Sequence, residues 1–135
     1  MLRPGLLITC VVLALSACGS EHDHGHSETH DDSTQLQISL NDGSKWQMDE
    51  HTRSMFKAMA SRVKTGGDTR SLGGGLQTDL DKLIQGCTMT GEAHNQLHVF
   101  LTAYIPAVHE VSESGTDEAL TEVQDLLAEY PAYFE

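Results

Sequence analysis

The sequence has no apolar run long enough to cross a bilayer. The longest, Leu6 to Leu15, is broken by Thr9 and Cys10, and a spanning helix needs ~20 apolar residues. Basic residues are scarce. Eight Lys and Arg stand against twenty Asp and Glu, for a formal net charge of −12. That balance argues against nucleic acid and anionic headgroups as partners, and makes the chain a host for cations. Closed chemical motifs are missing too. There is no HExxH, no CxxC pair, no CxxCH for covalent haem, and no Gly-Lys-Ser/Thr ending to Gly73-Gly74-Gly75. No candidate nucleophile has a base and an orienting acid at a recognised spacing, so an enzyme is not expected.

What is present begins with a leader. Met1-Leu2-Arg3 is a short positive start, Leu6 to Leu15 an apolar core, and Ser16-Ala17 a small-residue cleavage point. This is the layout of a secretory signal peptide over residues 1–17. Leu15-Ser16-Ala17-Cys18 resembles the lipobox of bacterial lipoproteins. The resemblance implies cleavage before Cys18 and lipid attachment to its thiol. Gly19-Ser20, with no Asp, resembles outer-membrane sorting, so the implied place is the outer membrane, facing the periplasm. Several acyl chains on one residue make a firm anchor, at roughly 0.8 kcal/mol per buried methylene. The alternative is an ordinary cut nearby that leaves Cys18 a free thiol. Cleavage removes Arg3 alone among the charged residues, taking −12 to −13. It also removes Cys10, so with Cys18 lipidated Cys87 is the sole thiol and no internal disulfide can form.

Residues 18–34 read as a flexible tether. Glu21 to Thr34 has no large apolar side chain to offset its ordering entropy. His22, His24, His26 and His30 place four imidazoles within nine residues, among Glu21, Asp23, Glu28, Asp31 and Asp32. Short His-rich tracts bind metals, and nearby carboxylates concentrate cations. A disordered tract discriminates little among zinc, nickel and copper. The competing reading is a solvated acidic linker.

Residues 35–135 carry the pattern of an all-α, up-down-up-down four-helix bundle. It is preceded by a short extended segment or β-hairpin. Leu36, Ile38 and Leu40 alternate, Asn41-Asp42-Gly43-Ser44 is turn chemistry, and Lys45-Trp46-Gln47 is a candidate return strand. Asp49 is the expected N-cap of a first helix running to about Lys64, with Met55, Phe56, Met59, Ala60 and Val63 at helical spacing. Met48, Met55 and Met59 invite a copper reading, but Met stripes at this spacing usually fill cores. The second helix is expected from about Arg70 to Met89. Its Gly73-Gly74-Gly75 reads either as a loop, with the helix starting at Leu76, or as a close-packed helical turn. The third starts near Glu92, on a stripe of His94, Leu97, His98, Leu101, Tyr104, Ile105 and Val108. Pro106 should kink it or leave a hydrogen bond open. Ser112 to Gly115 is the next loop. Thr116 caps a fourth helix, which Pro131 stops, leaving Tyr133 and Phe134 to fold back.

The stretch from Cys87 to His98 packs a thiol, a thioether and two imidazoles into twelve residues. Together with Gly86 it resembles a segment of small exported bacterial proteins with helical-bundle domains, from Trp46 to about Val108. That resemblance implies the fold and carries no activity. His94 and His98, four apart, share a helix face and should point into the bundle near Cys87 and Met89. Cys87, His94 and His98 suit Cu(I) or Zn(II), with Met89 a soft fourth ligand for copper. His51 reaches the same end only if the topology places it there. The competing reading is a small buried thiol and two imidazoles that cap helix ends. Haem is not expected; non-covalent haem has only Met55, Met59 and the two His to suggest it. The sequence therefore points to a lipid-anchored envelope protein that binds or buffers metal ions. The alternative is a non-catalytic helical module that presents its surface to another envelope protein.

Overall fold

The computed structural model describes residues 36–135. The leader, Cys18, and His22, His24, His26 and His30 lie outside the described residues. Within them the fold is an all-α four-helix bundle: α1 (Glu50–Thr65), α2 (Thr69–Gly86), α3 (Glu92–Ser114) and α4 (Asp117–Tyr133). Short links make consecutive helices antiparallel neighbours. Packing is most extensive between α2 and α3, and α1 meets α4 only sparsely. No helix among the described residues is long and apolar enough to cross a membrane.

Each helix starts where its local chemistry satisfies the first backbone donors. Asp49 accepts from Thr52 N at 2.7 Å, Asp68 from Ser71 N at 2.9 Å and Thr116 from Ala119 N at 3.4 Å. Only α3 lacks a side-chain cap. It begins at Gly91, with φ of 80°, and carries Glu92 in its first turn.

The Gly run is a close-packed helical turn inside α2. A Cβ at Gly73 would lie 2.6 Å from Ser112 Cα and N, so α2 and α3 touch backbone to backbone there. α2 ends at Gly86, sooner than Met89, and Cys87 is its C-cap. α3 continues to Ser114, through the segment expected to be a loop, and ends at left-handed Gly115. Pro106 sits inside α3 and deprives the Thr102 carbonyl of its helical donor. Pro131 does not stop α4, which runs on to Tyr133: the ring removes the donor to the Leu127 carbonyl, and beyond it Phe134 N still donates to Tyr130 O at 3.1 Å.

The expected hairpin is reduced to its turn. Asn41 and Ser44 exchange two hydrogen bonds of 2.9 Å around Asp42 and Gly43, both at positive φ. No strand flanks them among the described residues. Lys45-Trp46-Gln47 pairs instead with the C-terminus: Trp46 N donates to Tyr133 O, Met48 N to Glu135 O, and Glu135 N to Trp46 O, at 2.8 to 3.0 Å. Phe134 is thereby folded back and buried.

All three Phe and all three Tyr meet in one cluster, Tyr133 at its edge through Phe134. Phe56 stacks on Tyr130 with centroids 3.9 Å apart and meets Phe100 edge-on at 5.6 Å. Met48 and Met59 are core residues, and the Tyr104 hydroxyl donates to Met59 Sδ at 3.4 Å. One carboxylate, Asp79, is buried with them. It accepts from Arg62 Nη2 at 2.7 Å and Nε at 2.9 Å, and Lys82 Nζ lies 3.6 Å away.

Candidate metal-binding groove

The link between α2 and α3 brings the sulfur and imidazole side chains to one end of the bundle. Cys87 leaves α2 in extended conformation, so its side chain turns toward the first turn of α3. Cys87 Sγ lies 3.5 Å from His94 Nδ1. His98 follows one turn later, its ring centroid 4.3 Å from that of His94 at 54°. The three side chains line an open groove of about 400 Å³ between α2 and α3. Leu83, Leu97 and Leu101 line its apolar wall, and Ile84 and Ile105 stand exposed beside it. No carboxylate or ammonium group lines this groove, although charged residues make up 21% of the chain.

The Cys87–His94 separation has a definite chemical meaning. Zinc bonds of about 2.3 Å to sulfur and 2.05 Å to nitrogen, at a tetrahedral angle, put the two donors roughly 3.5 Å apart. The same spacing serves a thiol–imidazole hydrogen bond, so the metal-free pair keeps the geometry that a metal requires. His98 is the third donor in reach of the groove, but it is exposed. Among the described residues, no three His, Cys, Asp or Glu side chains are gathered closely enough to hold a metal as they stand.

The predicted set is therefore divided. Cys87, His94 and His98 share the groove. Met89 does not join them: its sulfur accepts from the buried Thr52 hydroxyl of α1 at 3.5 Å. His94 is half-buried and His98 does not point into the bundle. The buried stripe of α3 is instead Leu97, Phe100, Leu101, Tyr104, Ala107, Val108 and Val111. The reason is helical geometry. Steps of four residues advance about 40° around a helix, so His94, His98 and Thr102 drift to the flank. Ile105 lies there too, exposed.

His51 does reach this end of the bundle. Its ring rests on Gly86, where a Cβ would lie 2.4 Å from Nε2, and Nε2 is 3.2 Å from Lys82 O. Sequence reasoning missed two further features. Asp79 was legible as a charge on the stripe Leu72, Leu76, Leu80, Leu83. The second is a larger groove between α1 and α4, which has no signal in either helix alone.

No protein-family model, curated protein or solved structure matches the chain.

Proposed function

We propose that the chain is a lipid-anchored protein of the bacterial cell envelope that captures copper or zinc. The anchor is the lipid on Cys18, and the first contact with metal is the tract of His22, His24, His26 and His30. The folded acceptor is Cys87 with His94, and His98 closes on the ion by a change of side-chain rotamer. The observation that carries this reading is the 3.5 Å spacing of Cys87 Sγ and His94 Nδ1 beside a third imidazole. Three protein donors leave a coordination position open, which suits uptake and release better than a closed structural site does. Binding displaces protons from the ligands, so capture weakens on acidification. Catalysis has no part in this reading.

The test is zinc titration of the full chain beside Cys87→Ser and His94→Gln variants. The expected result is one tight equivalent, lost in both variants while their melting temperatures stay near that of the parent. A tight equivalent that survives both substitutions rejects the groove as the acceptor.

A second reading is a docking module for another envelope protein. Exposed Ile84 and Ile105 beside an uncharged groove favour it. It differs in expecting Ile84→Glu to abolish partner capture from envelope extract while zinc affinity is unchanged.

A further inference from the structure

The spacing of Cys87 and His94 fixes where an ion sits but not its charge. The lining of the α2–α3 groove bears on the charge. Among the described residues, none that lines it carries a carboxylate or an ammonium group. Beyond the three donors and Thr102, the lining is leucine and isoleucine. In a chain of net charge −12, the acidic residues are placed elsewhere.

The imidazoles have no carboxylate behind them either. A histidine bound to zinc passes its second ring N–H to a carboxylate, a carbonyl or water, and a carboxylate there also offsets the charge of the ion. Among the described residues no Asp or Glu pairs with His94 or His98. His109, on the same helix, shows the contrast: its Nε2 lies 3.6 Å from Glu113 Oε1. Glu92, which opens α3, accepts from Asn95 and Gln96 instead.

Charge balance then separates the candidate ions. A ligating cysteine is a thiolate and a ligating histidine is neutral, so Cys87, His94 and His98 together bring one negative charge. A monovalent ion makes the centre neutral. A divalent ion leaves one positive charge against Leu83, Leu97 and Leu101, and an unpaired charge beside apolar surface is costly. Water in the open groove reduces that cost without removing it. Distant acidic residues do not offset it, because salt screens them over ~10 Å. Thiolate is also a soft donor, which suits copper(I). We infer that the groove selects copper(I) over zinc through its uncharged wall, a selection that rests on the metal-binding reading of Cys87 and His94.

The test is anaerobic titration of the full chain with zinc chloride and with copper(I) held by bicinchoninate. Each affinity is read against Cys87→Ser, which separates the groove from the His tract. Copper(I) should bind at the thiol, seen as thiolate-to-copper absorption in the ultraviolet, and should displace zinc mole for mole. Any thiolate site favours a soft ion, so the role of charge is read at Thr102. This residue is exposed, lines the groove and lies one turn beyond His98. Thr102→Glu supplies the missing carboxylate, and Thr102→Gln is the uncharged control of the same size. Zinc should bind Thr102→Glu about tenfold tighter than Thr102→Gln, the Coulomb gain of a carboxylate roughly 6 Å from a unit charge at an effective dielectric constant of about 40. Copper(I) should differ by less than about threefold between the two, because its centre has no net charge to attract. Copper(I) that fails to displace zinc, a gain equal for both ions, or no gain for zinc overturns the selection while leaving a metal site in place. If neither ion distinguishes the parent from Cys87→Ser, the metal-binding reading fails, and the selection with it.

Discussion

At the residue scale, the three consecutive glycines of α2 separate packing from propensity. Gly73 lies against the backbone of α3, whereas Gly74 meets nothing within 4 Å. Helix propensity alone favours alanine over glycine by roughly 1 kcal/mol at both. The expected outcome is opposite signs: Gly74→Ala stabilises by up to about 1 kcal/mol, and Gly73→Ala destabilises by about 2 kcal/mol as the helices are forced apart. Thermal denaturation of the two variants checks this, and equal effects would refute the close contact. Arg62 is a second such case. Its guanidinium lies over Gly75 and holds the buried carboxylate of Asp79. Breaking a fully buried pair costs 3–5 kcal/mol. The Arg62 side chain is 40% exposed, so Arg62→Ala should cost less, about 2 kcal/mol in urea denaturation.

At the element scale, the helix starts depend on carboxylates. Backbone donation from Thr52 holds the Asp49 carboxyl below its usual value of 3.8, and donation from Ser71 does the same for Asp68. A carboxyl whose value is depressed on folding stabilises the fold above its unfolded value, and that contribution disappears as pH falls through the lower folded value. Stability should therefore decline below about pH 4, and the decline should be shallower in Asp49→Asn, which caps without titrating. An unchanged acid limb in that variant would show that Asp49 does not contribute.

The same scale shows what a sequence can display. Asp49 and Thr116 announce helix starts because capping is local. The turn at Asn41–Ser44 was legible for the same reason, since positive φ selects Asp and Gly. Its strands were not, because the partner of Trp46 lies at the other end of the chain, at Tyr133 and Glu135. The third helix was recognised, but its buried face was set one flank too far round. His98 and Ile105 fit a four-residue step as well as Leu97 and Leu101 do, and only packing against α2 and α4 decides between them.

At the scale of the whole molecule, the bundle gathers chemistry at one end and leaves an apolar groove along one side. The N-terminus of α1, the C-terminus of α2 and the N-terminus of α3 bring His51, Cys87, Met89, His94 and His98 to the same end. Only Cys87 and His94 are in contact through donor atoms. Nearness of this kind follows from an antiparallel hairpin of helices and was readable in the sequence. The division between a groove-facing trio and a Met89 committed to Thr52 depends on side-chain direction and was not.

The measurement that tests the metal reading most directly is zinc and copper content, by elemental analysis, of three proteins carried through the same dialysis. These are the full chain, a variant lacking Glu21 to Thr34, and Cys87→Ser. About one ion per chain retained by the first two and lost by the third is the result expected of a site built on Cys87 and His94. Metal lost on deleting the His tract and retained in Cys87→Ser would contradict it, and would leave the bundle as a scaffold for the tether.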